Sequence, residues 1–179
     1  MFRMGTNMTY QYRYKTPDQF SDMFMNSDGE YLTGLWFENS RDSSKHNSVC
    51  QEKELEIFKE TGRWLDIYFS GQNPDFTPKY KINNLTPFRQ EVIDIMNEID
   101  YGEVITYNDI AKKIALRRNL ERMSAQAVGG AVGWNPICII IPCHRVIGSD
   151  GSLTGYGGGL DNKKALLELE GIRRFKNHE

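Results

Sequence analysis

The apolar run from Ile137 to Ile141 is the segment that most constrains how this chain can fold, because Pro136 and Pro142 bracket it. A short run rich in β-branched residues is typical of a buried strand, and proline is tolerated at the ends of a strand but not inside a sheet. Residues that follow such a strand are presented on a rigid support, where reactive groups are often found. The segment Cys143 to Arg145 occupies that position.

Cys143 is the candidate reactive group of this segment. A cysteine attacks only as the thiolate, and a nearby histidine, arginine or helix N-terminus lowers its pKa. His144 and Arg145 follow it directly in the chain. Neighbouring side chains on a continuing strand point to opposite faces, so a contact between Cys143 and His144 requires the chain to leave the strand at Pro142.

A zinc site is the alternative for these residues, with Cys138, Cys143 and His144 as ligands. The chain has no Cys-x-x-Cys or His-x3-His pair to complete a set of four ligands, and Cys50 and His46 are isolated in the sequence. We therefore predict no metal site, and we assign Cys138, in the middle of the predicted strand, to the core.

The first half of the chain has the pattern of a small mixed domain of sheet and helix. Residues 72–84 contain two prolines and few aliphatic residues, as domain connections do, so we place a domain boundary near residue 84. The expected elements are strands at Tyr10 to Tyr14 and Leu32 to Phe37, a loop from Asn39 to Ser48, a helix from Glu52 to Glu60 that stops at Gly62, and a short helix from Trp64 to Phe69 that ends at Gly71.

Helix-start signals dominate the second half of the chain. They are Thr86 before a proline, Thr106 with Asp109 three residues later, and Ser124 before the stretch Ala125 to Val132. The predicted fold class is therefore α/β of the α+β type. We expect a small N-terminal α/β domain at residues 1–84 and a mainly helical C-terminal domain at residues 85–179.

The helices that begin after Thr106 and Ser124 resemble a helix-turn-helix, because a short basic segment joins them. An ordinary helical hairpin with solvated charges fits the same spacing. Each interior glycine of the second helix costs about 1 kcal/mol relative to alanine, and such residues permit close approach of a packed element or of a nucleic-acid groove. The adjoining cations favour nucleic acid; they are Lys112, Lys113, Arg117, Arg118 and Arg122.

A glycine-rich loop from Thr154 to Gly159 precedes a helix predicted from Asp161 to Glu170. The loop lacks the Gly-Lys-Ser/Thr ending of a phosphate-binding P-loop. We expect its backbone N–H groups to face a flat ligand beside Tyr156 instead.

Composition limits the partners and the compartment of this protein. The formal net charge of the 179 residues is −2, so the chain has no global basic field and any contact with nucleic acid must be local. Three cysteines, odd in number and irregularly spaced, argue against a disulfide framework and for a reducing compartment. Residues 1–14 contain neither an apolar signal core nor a membrane span, so we expect a cytoplasmic protein.

Motifs across the second half, in their order and spacing, resemble the O6-alkylguanine-DNA alkyltransferases. The Pro-Cys-His-Arg sequence followed by a glycine-rich loop is highly specific for that family, whereas residues 1–84 are similar to its N-terminal domain only in layout. The matching motifs are Thr86-Pro87-Phe88, Tyr101 to Tyr107, Ala127 to Ala131, Asn135-Pro136, Ile141 to Val146, Gly155-Tyr156, Gly158 to Leu160, Leu166-Leu167 and Glu170-Gly171.

The resemblance implies DNA repair by direct reversal of damage. An alkyl group would move from O6-alkylguanine, with O4-alkylthymine as a further candidate substrate, to Cys143 once per molecule. His144 would take the thiol proton through a water molecule, Glu170 would orient His144, and Asn135 would tether the turn that holds the pair. No cofactor is expected.

The resemblance also implies a monomer that binds double-stranded DNA in the minor groove and turns the damaged nucleotide out of the duplex. Tyr107 would help to rotate that nucleotide. Contacts to the DNA or to the flipped base are expected at Ser124, Gln126, Ala127, Gly130, Arg145, Val146, Tyr156 and Gly157.

Gln126 departs from the family pattern. The family commonly has an arginine at this position, which fills the gap that the flipped nucleotide leaves in the base stack. Glutamine can hydrogen-bond the orphaned cytosine but lacks the charge and the guanidinium plane. The metal-binding residues of some relatives' N-terminal domains have no evident counterparts here, which also predicts no structural zinc.

Three other functions fit parts of the pattern. Alkyltransferase-like proteins bind the damage without accepting the alkyl group, but they typically lack the cysteine found here as Cys143. A helix-turn-helix transcription regulator needs an array of arginine, asparagine and glutamine on its recognition helix for major-groove readout, and the alanine- and glycine-rich helix after Ser124 lacks this array. A cysteine hydrolase needs a histidine remote in sequence from its cysteine.

Overall fold

A computed structural model describes residues 8–46 and 49–176, and the chain divides into two compact units, Met1–Asn83 and Asn84–Glu179. Among the described residues, a sheet and a long helix form the first unit, and helices with a short parallel strand pair form the second. The predicted α+β class is confirmed. Residues 1–7, on which the expected absence of a signal sequence partly depends, lie outside the described residues, as do Asn47 and Ser48 at the end of the predicted loop.

A four-stranded sheet forms the base of the first unit, with the strand order β3-β2-β1-β4. Strand β2 is antiparallel to β1 and β3, and β4 is parallel to β1. The two predicted strands are confirmed, but β2 and β4 were missed. Nearly all of β2 is buried on both faces, so its sequence shows no alternation of polar and apolar residues. The strands are Thr9–Tyr14 (β1), Met23–Ser27 (β2), Leu32–Phe37 (β3) and Cys50–Glu52 (β4).

One helix, Glu56–Phe69 (α1), replaces the two short helices predicted for this region, so the predicted start at Glu52 and the stop at Gly62 are wrong. A Cβ added at Gly62 meets nothing within 4 Å, so the glycine here answers no packing need. Its cost of about 1 kcal/mol is outweighed by burial of the apolar face that continues on both sides of it. Phe58, Leu65 and Tyr68 lie on that face.

Three helices of the second unit begin directly after the capping residues that the sequence predicts. Thr86 accepts a hydrogen bond from the N–H of Arg89, Thr106 and Asp109 form a capping box, and Ser124 accepts from the N–H of Ala127. The elements are Pro87–Asn97 (α2), Ile105–Thr106 (β5), Tyr107–Arg117 (α3), Ala125–Gly133 (α4), Val146–Ile147 (β6) and Leu160–Leu169 (α5).

Two apolar clusters hold these elements together. Helices α2, α3 and α4 bury residues such as Val92, Ile110 and Val128, each of them fully inaccessible. Ile147 of β6 and Leu167 of α5 belong to a second cluster that extends to Val104 and Phe175. Strand β6 pairs in parallel with β5, so the end of the Cys143 segment is fixed beside the start of α3. No helix of the described chain is long and apolar enough to cross a membrane.

The segment Ile137 to Ile141 is buried as predicted, but it is a turn and the prediction of a strand is wrong. Ile139 has a φ of 69°, which no strand residue adopts. The side chain of Asn135 replaces a strand ladder, since it donates to the carbonyl oxygens of Ile137 and Ile141 and accepts from the N–H of Ile137. Cys138 is buried in this turn as a core residue, not in mid-strand.

Candidate active site

The thiol of Cys143 lies at the start of a single 3-10 turn, Cys143–Arg145, which the chain enters after Pro142. The residue is only 5% exposed. The Nδ2 of Asn135 donates a hydrogen bond to the Sγ at 3.1 Å. A donor directed at sulfur favours the thiolate over the thiol, so the amide that holds the turn also favours the reactive form of the residue.

His144 and Glu170 form a buried pair in which the His144 Nε2 lies 2.5 Å from the Glu170 Oε2. Burial lowers the pKa of His144 below its usual 6.5, even though the hydrogen bond to Glu170 acts in the opposite direction. The imidazole is therefore neutral at pH 7. A carboxylate can only accept, so Nε2 carries the proton and donates it to Glu170, which leaves Nδ1 as the basic nitrogen.

Glu170 stays ionised in spite of its burial. Burial alone raises its pKa, but the hydrogen bond from His144, the nearby charges and the N–H of Gly102 lower the pKa to about 2. The N–H of Gly102 donates to Oε1 at 3.0 Å, and the Nε of Arg145 donates to the same oxygen at 2.8 Å. The carboxylate is thus a fixed negative charge that orients His144.

Arg145 is buried at 9% exposure. Besides the contact with Glu170, its Nη1 donates to the carbonyl oxygen of Ile99 at 2.8 Å, and its guanidinium lies 5.7 Å from the centre of the Tyr101 ring. These contacts hold the guanidinium inside the unit. Arg145 therefore binds Glu170 and helps to keep it ionised, whereas the sequence analysis predicts a contact between Arg145 and DNA.

Tyr107 and Tyr156 are the two tyrosines that the sequence analysis predicts to act on the damaged nucleotide. The Oη of Tyr107, the first residue of α3, donates to the carbonyl oxygen of Thr154 at 3.2 Å. Burial and then the charge of Cys143 raise the pKa of Tyr107 to about 12, so it remains a proton donor at neutral pH. Tyr156 is 5% exposed, and Gly155 before it has a φ of 67° that favours glycine. Tyr107 thus contacts the loop that contains Tyr156 and Gly157, and the strand before Tyr107 pairs with the one that begins at Val146.

Lys163 is a member of this group that the sequence analysis did not identify. It is fully buried, and its Nζ donates to the carbonyl oxygen of Val146 at 2.6 Å. The available signal was its helical spacing, since Lys163 stands three and four residues before Leu166 and Leu167 on the buried face of α5.

The outer face of α4 carries small, accessible residues. Ser124, Gln126, Ala127 and Gly130 are all exposed. A Cβ added at Gly130 or Gly133 meets nothing within 4 Å, so packing within the described chain does not account for either glycine. The interior glycines lower the stability of the helix, but they leave a face that another molecule can approach closely.

The cations of the basic segment beside α4 are less available to bind another molecule than the composition suggests. Arg118 pairs with Glu91, and Lys113 and Arg117 both lie within 4.0 Å of Glu98. These carboxylates belong to α2 and the residue after it, so much of the segment's charge is neutralised within the unit.

Within residues 8–46 and 49–176, no group of three or more His, Cys, Asp or Glu side chains is placed to hold a metal ion.

Comparisons with known proteins agree on one family. The family model for the 6-O-methylguanine DNA methyltransferase, DNA binding domain, matches residues 87–172. The methylated-DNA–protein-cysteine methyltransferase of Haemophilus influenzae is 40% identical over 165 residues, which cover 92% of this chain and 89% of that protein. A crystal structure of the Mycobacterium tuberculosis O6-methylguanine methyltransferase matches with a TM-score of 0.74 at 35% identity, covering 91% of this chain and 93% of that one. A structure of the M. tuberculosis protein in complex with DNA matches with the same TM-score at 34% identity, covering 90% of this chain and 92% of that one. The chain therefore belongs to the family of the methylated-DNA–protein-cysteine methyltransferases.

Proposed function

We propose that this protein repairs alkylated DNA by moving a methyl or other small alkyl group from the O6 of guanine to the Sγ of Cys143. The observation that carries the proposal is a buried thiol that Asn135 holds by a 3.1 Å hydrogen bond, next in the chain to a histidine paired with an ionised Glu170. This is the arrangement of nucleophile, base and orienting carboxylate used in covalent catalysis.

The reaction needs a proton acceptor for the thiol, and His144 fits that role. Glu170 holds the Nε2–H, so the Nδ1 of His144 accepts the thiol proton through a water molecule. The thiolate then attacks the alkyl carbon, the bond between that carbon and O6 breaks, and the guanine leaves with the electron pair and is reprotonated. Tyr107, whose hydroxyl stays protonated at neutral pH, can donate a hydrogen bond to the departing base.

Each molecule acts once. The product is a thioether, which has no leaving group at neutral pH, so Cys143 is not regenerated. The protein is thus a methylated-DNA–[protein]-cysteine S-methyltransferase that works by stoichiometric transfer.

The burial of Cys143 supports flipping of the damaged nucleotide. A thiol that is 5% exposed is out of reach of a base stacked inside a duplex, so the base has to leave the stack. We assign the carbonyl and N–H groups around Val146, Tyr156 and Gly157 to recognition of the flipped base, and Tyr107 to its rotation.

Helix α4 is the element that we assign to the minor groove. Its exposed residues Ser124, Ala127 and Gly130 leave room for a close approach, and Gln126 near its N-terminus is placed to fill the gap in the stack. With α3 it forms the helix-turn-helix of the C-terminal DNA-binding and alkyl-acceptor domain at residues 85–179.

The partner is double-stranded DNA that carries O6-alkylguanine, and we propose that the protein acts on it as a monomer. None of the three cysteines forms a disulfide, and a nucleophilic thiol is preserved in a reducing compartment, so we propose a cytoplasmic location. An alkyltransferase-like protein that only binds the damage is not favoured, because the acceptor thiol is present and the relatives are named methyltransferases.

Mass spectrometry after incubation with duplex DNA that contains O6-methylguanine tests the proposal. We expect a single gain of about 14 Da on Cys143, as a methyl thioether requires. The Cys143→Ala variant should gain no mass, and Cys50→Ala, which alters a thiol of the first unit, should react like the wild type. More than one methyl group removed per molecule would overturn the stoichiometric mechanism, and a parallel duplex with O4-methylthymine shows whether that lesion is also a substrate.

A further inference from the structure

Lys163 places a positive charge in the interior of the second unit. Its side chain is fully inaccessible, and the Nζ lies 2.6 Å from the carbonyl oxygen of Val146 and 3.5 Å from that of Thr154. Among the described residues it forms no ion pair with a carboxylate, because the buried carboxylate of Glu170 is already shared by His144 and Arg145. Hydrogen bonds to two neutral carbonyl oxygens do not balance the charge of a buried ammonium, so its counter-charge has to be found elsewhere.

The groups around the ammonium leave one anion that can balance it. The rings of Tyr107 and Tyr156 lie with their centres 5.9 and 5.7 Å from the Nζ, and the hydroxyl of Tyr107 stays protonated at pH 7. Burial lowers the pKa of Lys163 to about 8, and the negative charge of Cys143 acts in the opposite direction. His144 also lies within range of the ammonium, and the positive charge of Lys163 helps to keep the imidazole neutral.

We propose that Lys163 is a positioning residue of the transfer reaction: its ammonium keeps Cys143 as the thiolate and fixes the carbonyl groups of Val146 and Thr154. Those carbonyls belong to β6 and to the glycine-rich loop, which are the segments assigned to the flipped base. The inference rests on the proposed function in taking Cys143 as the acceptor. It adds a source of activation besides His144 and Asn135, and this source acts through charge.

A purely structural role does not explain a charged residue at this position. A buried ion pair can often be replaced by apolar side chains of similar volume without loss of stability, so buried charge is not in itself a requirement of a fold. Hydrogen bonds to two carbonyl groups can also be made by a neutral donor. The feature that only lysine or arginine supplies is a positive charge, and the charges of Lys163 and Cys143 act on each other.

The experiment measures how the reaction of Cys143 with iodoacetamide depends on pH, with the modified peptide identified by mass spectrometry. In Lys163→Met we expect the pH midpoint of the reaction to rise by about one unit, because an opposite charge nearby lowers a thiol pKa by about that amount or more; at pH values below both midpoints the variant should react about tenfold more slowly. The two rates should converge in alkaline solution, where the thiol is ionised in both proteins. Lys164→Met is the matched control, since Lys164 is the next residue of α5 and lies near Glu168 on the surface; it should react like the wild type.

Two further variants separate charge from hydrogen bonding and from misfolding. Lys163→Gln retains a donor but no charge, and it should follow Lys163→Met, whereas Lys163→Arg retains the charge and should recover part of the neutral-pH rate. Thermal unfolding checks that each variant is folded. Wild-type profiles for both neutral variants, or a loss of rate that is equal at every pH, would overturn the proposal. Iodoacetamide needs no DNA, so failure of the wild type to accept a methyl group from DNA would count against the proposed function alone.

Discussion

Acid should destabilise the second unit through Glu170, and the structure gives the size of the effect. The folded protein lowers the pKa of this carboxyl from 4.5 to about 2. Each pKa unit corresponds to about 1.4 kcal/mol, so the ionised carboxylate contributes about 3 kcal/mol to the free energy of unfolding at pH 7. The side chain is fully buried, so solvent screening takes little from this value. Removal of one partner from a buried ion pair costs a similar amount, about 3 to 5 kcal/mol.

The pH range of the loss follows from the direction of the shift. Because the pKa of Glu170 is lower in the folded chain, its contribution is complete above about pH 4.5 and is lost as the pH falls towards about 2. His144, whose pKa burial lowers, adds a further loss that begins near pH 6.5, where the unfolded chain starts to take up a proton. A comparison with Glu170→Gln isolates the carboxyl contribution from that of the histidine.

The free energy of unfolding is measured by urea unfolding at several pH values. Hydrogen exchange of peptides from α2 and α5 then reports the change within the second unit. We expect Glu170→Gln to be less stable than the wild type by about 3 kcal/mol at pH 7 and by only about 1 kcal/mol at pH 3. Glu168→Gln is the matched control on the same helix; its carboxylate is half-exposed and lies near Lys164, so its effect should stay within about 0.5 kcal/mol. A difference between Glu170→Gln and the wild type that does not change with pH would refute the ionised, paired carboxylate.

Three further predictions concern transfer and DNA binding. Glu170→Gln should slow transfer from O6-methylguanine DNA in a gel-based assay but leave the DNA dissociation constant nearly unchanged; transfer at the wild-type rate would exclude Glu170 from orienting His144. Gly130→Ala should raise helix stability by up to about 1 kcal/mol but weaken DNA binding, whereas Gly62→Ala in α1 should give the stabilisation alone; unchanged binding in Gly130→Ala would separate α4 from the groove. Gln126→Arg should speed repair of a fully paired duplex and leave transfer from free O6-benzylguanine nearly unchanged, since flipping costs a few kcal/mol and only the duplex requires it; equal effects on both substrates would show that Gln126 does not fill the stack.

The features predicted from sequence depend on contacts between residues close together in the chain. The capping box of Thr106 and Asp109 and the cap at Ser124 each join residues three apart, and the structure shows both hydrogen bonds. The family resemblance likewise rests on short motifs. These signals are local, so one sequence is enough to reveal them.

The errors arise where a side-chain contact that no spacing rule predicts overrides the local pattern. The β-branched content of Ile137 to Ile141 favours a strand, but Asn135 holds this segment as a turn by binding carbonyl groups at both of its ends. The guanidinium of Arg145 binds a carboxylate 25 residues away, which no spacing rule predicts. Lys163 was missed for the same reason, because its burial depends on a carbonyl group 17 residues earlier in the chain.

The charges around Cys143 also predict how alkylation changes the stability of the folded protein. Arg145 balances Glu170, and in our proposal Lys163 balances the thiolate. Alkylation turns the sulfur into a neutral thioether, so Lys163 loses its counter-charge and its pKa falls further below its usual value. Asn135 at the same time loses an anionic acceptor for its Nδ2. Both changes raise the free energy of the folded product relative to the unreacted protein, because the groups that stabilise the thiolate gain nothing from the thioether. The activation of the thiol and a less stable alkylated protein thus have the same electrostatic origin, which a difference in urea midpoint between the two forms would measure.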